Sequence, residues 1–426
     1  MLRRLLMQTN VPRTRSMIIS GQLASPEGVR TGQVRFVGDT IDAVGPSLGT
    51  ADHRFGDDCL IFAGMGDIHI HARDDVSQAE THKEDFCTAA RAALHGGVVH
   101  VADMPNNRVA PVDDATYQAK LAHLALRNVP IHVTLYAGIG PGTRPLSAAV
   151  PYKVYMGPSV GDLFFSSLEQ LDATLGAYRG ADVSFHCEDP VLLEAHKQAA
   201  THEQRRPPEC EVSATRFALR MIQKHELTGK LCHYSVGEGL PLIREARRKG
   251  LKVTCEVTPH HLYFDDSNIN LTNRGLMQMN PPLRTLADRL AMLDALRDGT
   301  LDYLATDHAP HTLDEKARGV SGQPHLDTYG PFVTWLLLKQ GFRAEQAAVF
   351  CSSNPGRFVN PYTAPKKYGR IEPGYVASLT VLNLSRPMTI CREDLCTKCG
   401  WSPFEGVVFP GSVEAVFVDG RLMARR

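Results

Sequence analysis

The stretch Asp67-Ile68-His69-Ile70-His71-Ala72-Arg73 decides how the rest of the chain is read. Two histidines stand one residue apart among apolar neighbours. Side chains alternate along a strand, so residues two apart share a face. His69 and His71 therefore present two imidazoles to one point at the end of a buried strand. Neutral imidazole is a common ligand of metals such as zinc. A pair of histidines is equally compatible with a hydrogen-bonded core, so the neighbouring sequence must arbitrate.

Outward from this stretch, strand and helix signals alternate. Apolar runs end at Asp67, Asp103, Tyr136, Tyr155, His186, His233, Thr258 and Asp307. Helical patterns follow several of them, over 83–95, 114–125, 168–178, 213–224, 238–249 and 286–296. Alternating β and α units imply a parallel sheet, and eight of them imply a closed TIM-type (β/α)8 barrel. An open doubly wound sheet is the alternative, but no Gly-rich dinucleotide turn follows the first strand.

Both ends of the chain have another texture. Met17-Ile18-Ile19, 33–37 and 40–44 are short strands between Gly- and Asp-containing turns. Residues 377–382 and 413–418 repeat the pattern, with a turn at Asp419-Gly420. The two ends are read as one small β domain, since domain termini often lie close in space. The expected organisation is an extension (1–16), the first part of the β domain (17–63), a metal-dependent barrel (64–365) and the second part of the β domain (366–426).

The chain has 426 residues, with 46 basic and 46 acidic side chains. That balance gives no global pull toward nucleic acid or an acidic membrane. There is no phosphate loop and no apolar run of membrane-spanning length. Ten scattered cysteines, with Cys396 and Cys399 as a single C-x-x-C, read as reduced thiols of a cytoplasmic protein. The first 16 residues carry Arg3, Arg4, Arg13 and Arg15 and no acid. They read as a frayed extension, with an organelle presequence as the alternative.

In a barrel of this kind the working residues sit at the C-terminal ends of the strands. Those ends supply His69, His71 and Arg73, then Asn106, Lys153, His186, His233 and Asp307. A lone His186 or His233 reads as a core histidine, but each falls at the same point of its own β/α unit. A buried ammonium such as Lys153 is costly without a partner. Pairing with Asp162 is one resolution. Reaction of the amine with CO2 is another, giving a carbamate that can bridge two cations. The loop Gly157-Pro158-Ser159-Val160-Gly161-Asp162-Leu163 reads as a mobile cover with Ser159 as a hydrogen-bond donor.

With these residues in view, the chain resembles the metal-dependent amidohydrolases, and among them the dihydroorotase family. The resemblance runs over nearly the whole chain. It is carried by DIHIHAR (67–73), GVVHVADMPN (97–106), KVY (153–155), CHYS (232–235), TCEVTPHH (254–261), NPPLR (280–284), TDHAPH (306–311) and NPGR (354–357). It implies the reversible cyclisation of N-carbamoyl-L-aspartate to L-dihydroorotate in pyrimidine synthesis. It further implies one Zn2+ on His69, His71 and Asp307 and a second on His186 and His233. Carboxylated Lys153 would bridge them. Asp307 is implied as the proton carrier, and Arg73, Asn106 and His311, assisted by Arg284, as the grip on the substrate. Cys232 and Glu256 flank this set, where an additional metal is a further reading. The family commonly continues after the arginine with Glu-Pro-Gly; here Asp74-Asp75-Val76 follow, which leaves the shape of that loop open. Related cyclic amidases (dihydropyrimidinase, hydantoinase, allantoinase) and a non-catalytic scaffold are the competing functions. A homodimer and association with aspartate transcarbamoylase occur among such proteins, though no residue here specifies either.

Overall fold

The computed structural model describes residues 16–158 and 163–425. The extension 1–16, apart from Ser16, lies outside the described residues, as do Ser159 and Asp162.

Eight parallel strands follow one another in chain order. They are Met65–Ile70, Val98–Asp103, His132–Leu135 continued by Ala137–Ile139, Tyr152–Tyr155, Asp182–His186, Thr228–Leu231, Val253–Val257 and Tyr303–Leu304. Each pairs with the next. The ring closes where the His71 amide donates to the His308 carbonyl at 2.8 Å. Ile70 and His308 form a parallel bridge there. The strands are buried on both faces, as parallel strands under helices must be.

The helices between strands begin where the sequence offers a cap. Asp85 and Asp113 each form a capping box, starting helices Phe86–His95 and Asp114–Arg127. The first of these starts three residues later than the pattern over 83–95 suggested, because Asp85 serves as its cap. Helix Pro208–Lys224 starts earlier than the pattern over 213–224, with Pro208 at its first position.

Two strands stop short of where their apolar runs end. The sixth ends at Leu231 and the eighth at Leu304. His233 and Asp307 lie beyond them with φ of 37° and 48°. Arg73 has φ 57°. These left-handed residues cost energy in non-glycine positions and cluster at functional sites. Here they turn the chain at the rim.

Both chain ends build one sheet, in the order Arg421–Arg425, Ser412–Val418, Leu379–Asn383, Cys59–Ala63, Ser16–Ser25, Gly28–Val37, Thr40–Gly45. Ile19, Phe36, Ile61, Leu379 and Phe417 share its core. Strand Cys59–Ala63 joins the halves, parallel to Ser16–Ser25 and antiparallel to Leu379–Asn383. Gly64 then passes the chain into the barrel. A Cβ there would lie 2.3 Å from Val99 Cγ2, so only glycine allows the close approach.

Residues 388–409, between the last sheet strands, leave the sheet and pack on the barrel. The Cys396 and Thr397 amides donate to Asp327 at 2.7 and 3.0 Å. Lys398 pairs with Asp85 at 2.6 Å, and Trp401 Nε1 donates to the His311 carbonyl at 2.7 Å. Among the described residues no helix is long and apolar enough to cross a membrane.

Candidate metal centre

The first strand and the loop after the eighth bring three groups together. His69 Nε2 and His71 Nε2 lie 3.2 and 3.0 Å from Asp307 Oδ1. The opposite nitrogen of each ring is engaged elsewhere. His69 Nδ1 bonds Glu256 Oε1, and His71 Nδ1 lies 2.7 Å from Asn106 Oδ1. An acceptor at Nδ1 holds the proton there and leaves the Nε2 lone pair facing inward, the arrangement of metal-ligating histidines.

A second pair comes from the fifth and sixth units. His186 Nδ1 lies 2.9 Å from His233 Nε2. His186 Nε2 is 2.8 Å from Glu188 Oε2, which Arg206 also contacts. Burial raises the Glu188 carboxyl, but Arg206 and the His186 ring overcome it and hold it at about 2. Glu188 is therefore a fixed anion that keeps the His186 proton on Nε2 and frees Nδ1. The backbone N–H of His233 donates to Glu256 Oε1 at 3.1 Å. Its own Nδ1 is buried without a partner. The rings of His69 and His233 are 5.4 Å apart, so the two groups adjoin.

Lys153 enters between them from the fourth strand. It is fully buried, its Nζ is 2.9 Å from Cys232 Sγ, and it lies 5.1 Å from the Tyr155 ring. Burial, then the charges of Lys153 and its neighbours, lower the pKa of His69 well below the ordinary range. Burial and the Arg73 charge do the same for His71, and burial and His186 for His233. The imidazoles are thus neutral, the form that binds metal. Burial pushes Asp307 up to about 7 against the pull of Lys153.

The donor set fits divalent cations such as zinc: imidazole nitrogens and a carboxylate oxygen converge, each ring already oriented. The donor atoms of His69, His71 and Asp307 all lie within 4.8 Å of one another. Lys153, His186 and His233 line the same cavity.

Arg73 lines the cavity too and is 2% exposed. Its Nη2 is 3.1 Å from His311 Nε2, while Nε and Nη1 have no partner among the described residues. His311 is braced by Glu315 Oε2 at 3.4 Å from Nδ1. Burial, then Arg73, keep it neutral by lowering its pKa far below the ordinary range. Asn106 reaches the cavity but also holds His71.

Arg284 stands apart from these residues and is not in the cavity wall. Its Nε donates to Ser235 Oγ at 3.1 Å and its Nη1 to the Arg206 carbonyl at 2.6 Å, and Nη2 lies 3.6 Å from Glu211. These contacts brace the side chain, while its Nη2 has no hydrogen-bond partner among the described residues, so the part in the substrate grip read for Arg284 from the sequence remains a proposal. The loop after the first strand is held by its departures from the family pattern. Asp74 bonds His123 at 2.7 Å and Arg127 at 3.1 Å. Asp75 accepts from the Ser77 and Val109 amides at 2.6 and 3.1 Å.

The sequence reading missed several wall residues: Tyr155, Asn280, Ala309, Ser321 and Gly322. Tyr155 was within reach, standing two residues after Lys153 on the same strand face. Asn280 Oδ1 is buried without a partner, a signal only coordinates carry.

The model of the amidohydrolase family matches residues 60–423. The chain is 30% identical to a dihydroorotase of Pyrococcus furiosus over 365 residues, 85% of this chain and 81% of the relative. It is 32% identical to a dihydroorotase of Lactiplantibacillus plantarum over 442 aligned residues, covering 96% of this chain and 98% of the relative. Among solved structures, an L-hydantoinase (dihydropyrimidinase) from Arthrobacter aurescens superposes with a TM-score of 0.86 at 21% identity, covering 96% of each chain. At that identity the likeness concerns the fold alone.

Proposed function

The chain belongs to the amidohydrolase family, and from that premise we propose that it is a dihydroorotase, converting N-carbamoyl-L-aspartate reversibly to L-dihydroorotate. The observation that carries the substrate is Arg73. A buried guanidinium whose Nε and Nη1 have no partner among the described residues suits a carboxylate, which can bridge one of them and the second N–H of Nη2. Dihydroorotate carries that carboxylate; dihydrouracil, hydantoin and allantoin have none to offer. Asn106 and His311 stand beside Arg73 to complete the grip.

In this reading His69, His71 and Asp307 hold one Zn2+, His186 and His233 a second, and Lys153, carboxylated by CO2, lies between them. Bound there, the cations supply Lewis acidity that lowers the pKa of water and polarises the ring carbonyl. Arg73, Asn106 and His311 orient the ring by its carboxylate. Asp307 then moves the proton. In hydrolysis a water oxygen bonds to the ring carbonyl carbon as Asp307 takes its proton, and Asp307 delivers that proton to the nitrogen as the C–N amide bond breaks. In cyclisation Asp307 accepts the proton of the ureido nitrogen as the same bond forms and water leaves.

The convergence of all six ligand residues supports a working enzyme over a scaffold. We assign the reaction to the cytoplasm, the compartment in which scattered cysteines stay reduced. The deciding experiment is a spectrophotometric assay of dihydroorotate beside dihydrouracil, hydantoin and allantoin. Turnover of dihydroorotate alone is expected; preference for a substrate lacking the carboxylate would refute the assignment. Metal analysis and intact-protein mass, read for the increment of one CO2, test the zinc pair and Lys153. Sedimentation of the chain alone and mixed with aspartate transcarbamoylase tests the assemblies.

A further inference from the structure

Beneath the rim, the barrel interior holds a second set of metal-type donors. The donor atoms of His69, Cys232 and Glu256 lie within 4.8 Å of one another, and all three residues are buried. Nitrogen, sulfur and oxygen at such spacing suit a zinc-like cation. One feature of the chain argues that no metal enters. Lys230, on the sixth strand, and Cys232, the residue just past its end, point to the same side. Lys230 is 2% exposed, and its Nζ pairs with Glu256 Oε2 and lies 3.7 Å from Cys232 Sγ. The rings of Tyr136 and Phe358 stand 5.8 and 5.6 Å from that ammonium and close it off below.

We infer that Lys230 is a tethered cation that keeps the His69–Cys232–Glu256 set closed to metal and, through Glu256, keeps His69 turned so that only its Nε2 faces the rim. The donors are already spent. Glu256 Oε1 accepts from His69 Nδ1 and the His233 amide, and its Oε2 takes Lys230. Cys232 Sγ takes Lys153 Nζ at 2.9 Å. A divalent ion among these atoms would sit against the Lys230 ammonium, where the two positive charges repel strongly in a water-free interior. Burial works against that ammonium, but Cys232, Glu256 and Tyr136 raise its proton affinity well above the ordinary lysine range. It therefore stays charged. Lys230 is a positioning residue: it acts on the rim through Glu256 and His69.

The inference rests on the proposed reading of the rim as a metal centre, and cobalt separates the two. The protein is stripped with a chelator and reloaded with Co2+. Wild type should show visible d–d bands from the rim and no thiolate-to-cobalt charge-transfer band. Lys230→Met should gain that charge-transfer band and bind one more Co2+ per chain. Lys230→Gln, which keeps a donor for Glu256 but no charge, should do the same and serves if the methionine variant does not fold. Adding Cys232→Ser to either should abolish the band. In the wild-type background, Cys232→Ser should leave the cobalt count unchanged. The inference is overturned by a thiolate band in wild type or by a cobalt count that falls with Cys232→Ser. It also fails if folded neutral variants keep d–d bands but gain no thiolate band. Absence of d–d bands in wild type would instead refute the rim as a metal centre.

Discussion

Keeping a guanidinium buried with N–H groups unspent is expensive, and the expense makes sense only if a ligand fills them. At Arg73 the open atoms are Nε and Nη1. Lysine keeps the charge but has no planar fork. Arg73→Lys should therefore lose about 2–3 kcal/mol of charge-assisted bonding to the carboxylate. That corresponds to a roughly 30–150-fold rise in KM, with kcat changed far less; steady-state kinetics with dihydroorotate checks it. A different residue reads out in stability. His100 on the second strand is fully buried, and neither ring nitrogen is bonded among the described residues. Burial, then nearby His132, lower its pKa from 6.5 to about 3. In the unfolded chain the ring takes a proton below about pH 6.5, while in the folded chain it resists to about 3. Unfolding therefore binds a proton in that window, and stability falls as pH drops through it. The slope for one such group is about 1.4 kcal/mol per pH unit. His100→Leu should remove this contribution, so its advantage in thermal melts over wild type should widen from pH 6.5 to pH 4. A constant difference across that range would refute the assignment.

At the scale of elements, what the sequence revealed depended on periodicity. The strand faces carrying His69, Lys153 and His186 follow from a period of two, and the eight-fold alternation follows from strands and helices repeating. The walls between them do not, because they are main chain. Asn280, Ser321 and Gly322 line one side of the cavity, and the segments that carry them are linked by a buried lysine. Lys316 Nζ donates to the carbonyls of Gln278, Val320 and Gly322 at 2.7, 2.8 and 2.7 Å. Gln323 Nε2 donates to the Leu276 carbonyl at 2.8 Å. No side-chain pattern encodes three carbonyls converging on one ammonium, so a helical lysine at position 316 reads as a surface residue. Arg284 is a case of another kind: its motif resembles a substrate contact, and the fold adds neighbours the motif does not encode, Ser235 at its Nε and Glu211 3.6 Å from its Nη2. Lys316→Met should leave three buried carbonyls short of a donor, each costing about 1–3 kcal/mol if water cannot reach it. The expected outcome is a lowered melting temperature and a KM for dihydroorotate raised at least roughly tenfold, by the same energy scale. Metal content should stay at the wild-type level. Loss of metal instead would place Lys316 in support of the ligands and not the wall.

For the whole molecule, the cluster at the rim is a stability problem that binding solves. Four histidines, Asp307 and Lys153 are packed together there with almost no exposed surface. Polar groups so buried destabilise the fold unless something engages them. A cation that binds the folded chain and not the unfolded one stabilises by mass action, about 4 kcal/mol at a concentration 1,000 times its Kd. Chelation should therefore lower the melting temperature by several degrees, and added Zn2+ should restore it. Reloading without bicarbonate should restore less, because Lys153 would remain an amine that repels the cations. The pH range of the effect distinguishes this cluster from ordinary surface histidines. Protons compete with metal for imidazole, so a site of unperturbed histidines fades as pH falls through about 6.5. At the rim, burial has already lowered the pKa of His69, His71 and His233 well below that value. The proton is the weaker competitor at these rings, but burial holds the Asp307 carboxyl at about 7, so the zinc-dependent rise in melting temperature should shrink in part, without vanishing, between pH 8 and pH 6. Differential scanning calorimetry of stripped and loaded protein at both values makes the comparison. An increment that vanishes by pH 6 would mean that the cation sits on exposed histidines elsewhere on the chain.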